Sequence, residues 1–319
     1  MKISLLRNPL IWLFVVFAIF PIAATAINQT YYLSFISKVM VFGIAALGLN
    51  LVLGFGGMVS LGHAAFVGVG AYAVGLCMHY GVTNGWVHFG LAIGVGALSS
   101  LLIGALCLRA GGISFIMLTL AFAQLLFFLG VGLKQYGGDD GFSFRGHSEF
   151  FSWLQLEDVR VMYWVILACL ALTVLVVGRS TRSGFGLALR GVKSNEGRAQ
   201  SIGLHTYRHK LAAFVLSGMF CSLSGALLAN LTQFVSPSYM HFSRSAELLL
   251  MILLGGISSL LGPVVGAAAF IVLEESLGHI TPHWQAPMGL AIVLIVLFAR
   301  NGLIDLAMAV VVRFKRKRS

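Results

Sequence analysis

Apolar stretches of about twenty residues follow one another along almost the whole chain and decide what it can fold into. A helix that crosses the hydrocarbon core of a bilayer needs about 20 mostly apolar residues. Of the 319 residues, 59% are apolar and 10% are charged, unlike the composition of a water-soluble domain. We therefore predict an all-α, polytopic helical membrane protein with about ten membrane segments. These lie at residues 9–27, 31–53, 62–80, 87–108, 112–133, 160–178, 210–231, 245–260, 263–278 and 286–299.

The charges between these segments predict the orientation of the chain. The loop at residues 179–210 holds seven of the 21 lysine and arginine residues, and the loop at 134–160 holds five of the ten acidic residues. Loops rich in lysine and arginine stay in the cytoplasm. We expect loop 179–210 and both termini on the cytoplasmic side, and loop 134–160 outside.

The two ends of the chain carry further positive charge. The N-terminal membrane segment, residues 1–30, joins basic residues to an apolar run, which leaves a cleaved signal peptide open as the alternative. The basic tail at 306–319 predicts a cytoplasmic anchor, with anionic lipid headgroups as the alternative role. The net charge of +11 is explained by topology, so we expect membrane lipid and no nucleic acid as a partner.

Two glycine-rich stretches, residues 53–63 and 254–266, interrupt the apolar segments and share Leu and Gly positions at an offset of 200 residues. Transporters with internal repeats carry interrupted segments in corresponding places. Irregular backbone at membrane depth is tolerated only where protein or a water-filled cavity covers it. The stretches therefore predict a solute path through Gly-rich interrupted helices, and ordinary short turns are the alternative.

Eight residues are candidates to line that path. They are Asn50, Gly56, Gly57, His63, Thr119, Gln124, Gly255 and Gly256. For His63 the alternative is a hydrogen-bonded packing residue. For Asn50, Thr119 and Gln124 the alternative is hydrogen bonding between helices.

Patterns for catalysis or metal binding are absent from the sequence. It has no GxxxxGK[ST] phosphate loop, no HExxH and no pair of Cys/His clusters, and its four cysteines fall in apolar segments. Charged residues in the predicted segments are few, and most lie near an interface. Lys38 lies within the second segment, Arg244 and Glu247 near the start of the eighth, and Glu274 and Glu275 near the end of the ninth. We therefore expect no enzyme, no metal and no cofactor bound by this chain. Because a proton or sodium relay is also missing, the energy for transport has to come from elsewhere.

The basic loop at residues 179–210 has an amphipathic pattern rather than a disordered one. Apolar positions alternate with charged ones, Ser194-Asn195-Glu196 offers a helix N-cap followed by an acid, and Gly203 offers a C-terminal stop. This predicts a short helix parallel to the membrane. It is either a docking surface for a cytoplasmic partner or a helix lying on lipid headgroups.

Four blocks of sequence resemble one known family. They run from Ala46 to Ala73, from Gly111 to Ser143, from Gly184 to Leu227 and from Leu248 to Phe270. The chain resembles the permease subunits of ATP-binding-cassette importers for branched-chain amino acids, the LivH/LivM permease family, and within it the LivM-like subunits. Relatives that carry urea or short amides share the same blocks, so the solute stays open.

The resemblance implies a bacterial inner-membrane importer with a permease domain at residues 31–305. ATP would be hydrolysed by two cytoplasmic ATP-binding subunits, a second, LivH-like permease subunit would complete the path, and a periplasmic binding protein would deliver solute. A stand-alone channel or an ion-coupled secondary transporter is the rival class.

The resemblance also implies two functional segments. The segment that couples transport to the ATPase would be carried by Arg190, Glu196, Ala199 and Gly203, with Arg198 where the family has a small residue. Gly138, Asp139 and Asp140 would lie near the outer mouth of the path or near the docked binding protein.

Overall fold

The protein is a bundle of helices. The computed structural model describes residues 14–21, 30–151, 154–257, 259–280, 283–298 and 302–303. Residues 14–21 are helical, and the labelled helices follow from residue 30. They are α1 Thr30–Asn50, α2 His63–His79, α3 Gly85–Cys107, α4 Ile113–Gly132, α5 Val159–Arg182, α6 Gly184–Ser194, α7 Glu196–Ser201, α8 Thr206–Thr232, α9 Phe242–Gly255, α10 Gly262–Ile280 and α11 Gln285–Phe298.

The all-α prediction is confirmed, but the prediction of about ten membrane segments is not. In the described ranges, six helices are long and apolar enough to cross a membrane. They are Tyr31–Phe55, which joins α1 to the turn after it, and α3, α4, α5, α8 and α10. Helices α2, α9 and α11 overlap predicted segments but have only 17, 14 and 14 residues. The basic tail 306–319 and most of the N-terminal segment 1–30 lie outside the described residues.

The bundle has two ends that differ in charge. We call the end that carries residues 179–210 the basic end, and the end that carries residues 134–158 the acidic end. At the acidic end the chain forms short antiparallel pairs of strands, in which β1 (Phe142–Ser143) pairs with β4 (Phe234–Val235) and β2 (Glu149–Phe151) pairs with β3 (Leu154–Gln155). Because β4 directly follows α8, the C-terminal end of α8 lies at the acidic end.

Helix α8 is the centre of the bundle and packs against α1, α2 and α3. Its inner faces carry small residues, and two serines bond across to neighbouring helices. Ser222 Oγ donates to the Ala92 carbonyl at 2.6 Å, and Ser224 Oγ donates to the Val41 carbonyl at 2.8 Å. Small side chains let helix backbones approach closely where hydrophobic burial gives little attraction between helices.

Helix α1 ends in a wide turn rather than a normal cap. Leu51–Phe55 is a π-helix, and its first four residues are buried. Gly56 follows it, and Gly57 has a φ of 70°, a conformation that favours glycine. The chain then runs without regular structure to the start of α2 at His63, so the first glycine-rich stretch is a true interruption.

Two GxxxG pairs in the sequence predict close helix packing. In the structure one pair forms a helix crossing and the other does not. A Cβ atom on Gly262 or Gly266 would collide with backbone atoms of residues 251–256, so this pair forms the crossing of α10 with α9. At Gly90 and Gly94 an added Cβ would meet nothing within 4 Å in the part of the chain described. That pair therefore makes no close helix contact among the described residues.

The crossing of α2 with α8 provides a test of this packing. A Cβ on Gly70 would overlap the Ser222 carbonyl, and one on Gly225 would overlap the Val67 carbonyl. We expect Gly70→Ala and Gly225→Ala each to lower the free energy of unfolding by about 1–3 kcal/mol or more, because overpacking must push the two backbones apart. Thermal unfolding in detergent measures this.

The matched control is Gly90→Ala on the open face of α3, which we expect to unfold at or slightly above the wild-type temperature. Equal melting temperatures for Gly70→Ala, Gly225→Ala and Gly90→Ala would show that the α2–α8 crossing does not depend on glycine.

Candidate functional site

The two glycine-rich interruptions meet inside the bundle. Asn50 Nδ2 donates a hydrogen bond to the Ser259 carbonyl at 3.3 Å. A Cβ on Gly54 would lie 2.6 Å from the Ile257 carbonyl, so only glycine fits there. The pattern at an offset of 200 residues therefore corresponds to two helix–interruption–helix units, α1–α2 and α9–α10, whose irregular segments touch.

The second interruption is as tightly packed as the first. A Cβ on Gly255 would collide with the Gly262 carbonyl, and Gly256 has a φ of 109°. Of the predicted path residues, Asn50, Gly255 and Gly256 are thus brought to the junction of the interruptions. Each has a structural role there.

Helices α2 and α9 are both too short to span a bilayer, and their first turns meet in the interior. At 1.5 Å per residue, the 17 residues of α2 and 14 residues of α9 extend about 25 Å and 21 Å, against a core of about 30 Å. The backbone N–H of Ala64 donates to Ser245 Oγ at 3.1 Å. Two helix N-termini, each with a partial positive charge, therefore lie side by side within the bundle.

A cavity of about 440 Å³ opens beside these two N-termini, and we call it the charged pocket. Its polar lining includes Lys38, Arg244 and Glu275, and Leu231 and Thr232 from the C-terminal end of α8 place it toward the acidic end. The rest of the lining is mainly aromatic and aliphatic. It includes Phe35, Phe42, Leu228 and Leu248.

The charges of this pocket are only partly neutralised. Arg244 pairs with Glu247 at 2.6 Å, and the Tyr31 hydroxyl donates to Glu275. Lys38 has no carboxylate within 4 Å in the described ranges, although it lies in the third turn of α1. Its electrostatic partner is the Glu247 carboxylate, which Arg244 already contacts. Since a charged residue within a membrane segment costs about 2.5–3.5 kcal/mol on insertion scales, a lysine without a contact pair beside a cavity indicates a function.

The sequence places Lys38 within the second predicted segment and the other charges near segment ends, and it assigns none of them to a site. The structure brings them together because α1, α9 and α10 pack on one another. The available signal was that each charge lies within about three turns of the same end of the bundle. The sequence does not show that α1, residues 30–50, neighbours helices that begin two hundred residues later.

A second cavity, of about 530 Å³, lies toward the basic end, and we call it the basic-end cavity. It is lined by Gly56 and Gly57 of the first interruption, by the start of α4, and by Lys193 and Glu196. Along the chain, residues 60–63 separate the lining of this cavity from Ala64, which lines the charged pocket. Gly56 and Gly57, two of the predicted path residues, therefore border a cavity.

His63 lies in this separating segment and lines neither cavity. It is fully buried, its Nδ1 is 2.8 Å from Ser60 Oγ, and its ring packs edge-on against Phe66 and Phe214. This geometry favours the packing interpretation over a solute contact.

Thr119 and Gln124 on α4 also lie away from both linings. Thr119 Oγ1 donates to the Ile116 carbonyl at 2.9 Å and accepts from the Leu61 N–H at 3.4 Å, so it holds the separating segment against α4. Gln124 is half-buried. The structure gives Thr119 a bracing role and brings Gln124 to neither cavity.

Lys193 joins the basic loop to the first interruption, and sequence reasoning missed it. Its Nζ donates to the Gly54 carbonyl at 2.7 Å, within the π-helical turn. A Cβ on Gly57 would lie 2.7 Å from Lys193 Cγ, so the lysine stem lies directly on the interruption. Lys193 is an exposed residue, and through this contact its ammonium group connects α6 with the interruption.

The predicted helix in the basic loop is confirmed, and a second helix, α6, precedes it. Asn195 caps α7 by accepting from the Arg198 N–H at 2.9 Å, and Gly203 has a φ of 85° after its last turn. Arg190 Nη2 donates to the Thr181 carbonyl at 3.2 Å, which ties α6 to the end of α5.

Some side chains of α6 and α7 are exposed and others are buried. Glu196 pairs with Lys210 at 2.6 Å, and Ala199 is buried. Leu187 is 63% exposed and Ile202 is 74% exposed, and Arg198 is exposed as well. We call Leu187, Arg198 and Ile202 the basic-end face. Ala199 faces inward, whereas Glu196 is exposed, lines the basic-end cavity and contacts α8 through Lys210.

The predicted outer mouth is a glycine turn at the acidic end. Gly137 and Gly138 have φ of 82° and 56°, and Asp139 and Asp140 are exposed. None of the predicted mouth residues lines the charged pocket. The turn leads into β1 and is fixed by the pairing of β1 with β4 rather than by contact with a cavity.

Two titratable side chains brace this loop region. The hydrogen bond with Tyr80 raises the pKa of the Tyr136 hydroxyl. Burial lowers the pKa of the His147 imidazole, which keeps its Nε2 free to accept from Gln233 Nε2 at 2.8 Å. Both contacts tie the loop at residues 134–158 to the ends of α2 and α8.

Comparison with known proteins gives a consistent result. Residues 31–300 match the family described as "Branched-chain amino acid transport system / permease component". The chain is 29% identical to the high-affinity branched-chain amino acid transport system permease protein LivM of Salmonella typhimurium, over 84% of this chain and 68% of the relative. It is 28% identical to LivM of Escherichia coli over the same shares. It is 24% identical to the permease protein LivH of Escherichia coli, over 80% of this chain and 88% of the relative. No solved structure matches.

Proposed function

This chain belongs to the family of permease components of branched-chain amino acid transport systems, and from that premise we propose that it forms half of the path of an ATP-driven importer. As a permease it is a transport subunit rather than an enzyme. The solute is a branched-chain amino acid, as in the names of the LivM and LivH relatives. The observation that carries the mechanism is the bond between Lys193 and the Gly54 carbonyl. It links the exposed helices α6 and α7 to the interruption between the two cavities.

In this proposal the basic end faces the cytoplasm and the acidic end faces outward. The distribution of charge supports this orientation, since basic loops are retained in the cytoplasm. Both termini are then cytoplasmic. The turn at Gly138, whose Asp139 and Asp140 are exposed, lies where a periplasmic binding protein would dock.

Solute passes from the charged pocket to the basic-end cavity by alternating access. The segment at residues 60–63 closes the way between them, held by Ser60, His63 and Thr119. Because the two interruptions touch at Asn50 and Ser259, a shift of one displaces the other. Opening therefore requires a force on the interruptions.

Partner subunits supply that force. Two cytoplasmic ATP-binding subunits hydrolyse ATP, and one of them docks on the basic-end face of this chain. Docking moves α6, and Lys193 passes the movement to the π-helical turn. A second, LivH-like permease contributes the other half of the path, while this chain itself binds no cofactor.

The proposal is tested by reconstitution in liposomes. Liposomes should contain the complete complex of this chain, a second permease and the ATP-binding subunits. They should accumulate radiolabelled leucine when ATP is supplied on the cytoplasmic side and binding protein on the periplasmic side. The same liposomes without ATP, or with this chain alone, should not. Leucine flux driven by a solute, proton or sodium gradient through this chain alone would support the rival channel or secondary transporter.

Lys193 tests the coupling route. We expect Lys193→Met to lower ATP-driven leucine uptake roughly tenfold or more, because the charged hydrogen bond to Gly54 is lost. Association with the ATP-binding subunits and their ATP hydrolysis should remain, since Lys193 is not part of the basic-end face. Lys134→Met at the acidic end, an exposed lysine, is the control. If Lys193→Met transports at the rate of Lys134→Met, the route through Gly54 is wrong.

Ile202 tests the docking face. We expect Ile202→Asp to weaken association with the ATP-binding subunits by tenfold or more, because a carboxylate replaces an exposed apolar contact at the interface core. Co-purification and fluorescence binding measure it, with Val82→Asp at the acidic end as the control. If association with the ATP-binding subunits is unchanged and Ile202→Asp instead weakens binding of the protein to anionic vesicles, the basic-end face contacts lipid.

A further inference from the structure

Resting on the proposed function, we propose that the charged pocket is a binding site for the zwitterionic backbone of one aliphatic amino acid. Lys38 receives the solute carboxylate, and Glu275 receives its ammonium group. The apolar lining holds the branched side chain.

The first argument is the pairing of opposite charges in one largely apolar cavity. Lys38 and Glu275 both line it, and they come from helices α1 and α10 that pack together. Lys38 has no carboxylate within 4 Å among the described residues. A solute that carries its own carboxylate and ammonium would neutralise both sides of the pocket at once.

The second argument places the carboxylate. The first turns of α2 and α9 meet at Ala64 and Ser245, and residues of both turns line the pocket. Helix N-termini favour negative charge, and in other transporters interrupted helices direct such ends at anionic groups of the solute. Arg244 lines the same wall. The Arg244 charge is already paired with Glu247, and Glu247 also interacts with Lys38. The Lys38 ammonium and the two helix ends therefore supply the positive groups on this wall that can receive a carboxylate.

The third argument places the ammonium group. Tyr31 donates its hydroxyl to Glu275 Oε1, and His279 Nε2 lies 3.6 Å from the same oxygen. Within the described chain, the other oxygen, Oε2, has no hydrogen-bond partner. The tyrosine fixes the carboxylate and leaves one oxygen for a cationic donor.

The fourth argument concerns depth and shape. Lys38 lies seven residues after Tyr31 on α1, about 10 Å along the helix, and helical side chains lean toward the N-terminus. The lysine thus extends back toward the end that holds Glu275. Phe35, Phe42 and Leu248 provide apolar surface in the same pocket as Lys38 and Glu275. A cavity of about 440 Å³ accommodates one aliphatic amino acid.

The experiment measures equilibrium binding of radiolabelled leucine to the assembled transporter in lipid nanodiscs, without binding protein. Competitors are isopentylamine, which lacks the carboxylate, and 4-methylpentanoate, which lacks the ammonium group. We expect both to compete at least tenfold more weakly than unlabelled leucine. Lys38→Met should weaken leucine binding tenfold or more and make isopentylamine nearly as effective a competitor as leucine.

Glu275→Gln should give the mirror result, with 4-methylpentanoate gaining relative to leucine. Lys134→Met and Glu157→Gln, exposed charges outside the pocket, are the matched controls and should bind like wild type. If Lys38 and Glu275 had a purely structural role, their variants would bind leucine, isopentylamine and 4-methylpentanoate more weakly by the same factor. Wild-type affinities and ratios in both pocket variants, or parallel losses, would overturn the proposal.

If a pocket variant fails to assemble, the pocket can still be tested in the wild-type complex. Leucine should slow acylation of Lys38 by an amine-reactive reagent, as followed by peptide mass spectrometry, and isopentylamine should not. An unchanged rate of acylation with saturating leucine would overturn the pocket assignment alone, provided that the same complex imports leucine. A complex that imports no leucine would instead refute the proposed function.

Discussion

Inside a bilayer, a backbone group that leaves its helix has to find a partner in the protein, because no water is available to bond it. Much of this architecture follows from that constraint. The interruption after α1 is held by the Lys193 ammonium on the Gly54 carbonyl and by Asn50 across to Ser259. The first turn of α2 is held by Ser245. The places where the helices stop are therefore the places where distant parts of the chain are joined.

Those joints are possible only because the helices come unusually close. Gly70 and Gly225 remove the side chains that would keep α2 and α8 apart, and Gly255 and Gly266 do the same for α9 and α10. Serine side chains on α8 then reach carbonyls of neighbouring helices. The high glycine content, 38 residues of 319, thus supports both the interruptions and the close crossings around them.

Local features could be predicted from the sequence, and long-range ones could not. The all-α class, the cap at Asn195 and the stop at Gly203 depend on neighbouring residues and were predicted correctly, whereas the count of about ten membrane segments is not confirmed. The charged pocket is lined by α1 and by helices two hundred residues later in the chain. The burial of Ala199 depends on how α7 packs. His63 was ambiguous for the same reason. Its surroundings, Phe66 and Phe214, come partly from a distant helix.

The π-helical turn at Leu51–Phe55 has a geometric consequence of its own. A π turn contains one residue more than an α turn, and one residue corresponds to about 100° of rotation in an α-helix. If the turn tightened into α geometry, the extra residue would pass into the interruption, and the backbone after it would be re-aimed by more than a quarter of a revolution. Lys193 donates a hydrogen bond to a carbonyl of this turn and so stabilises its π-helical geometry.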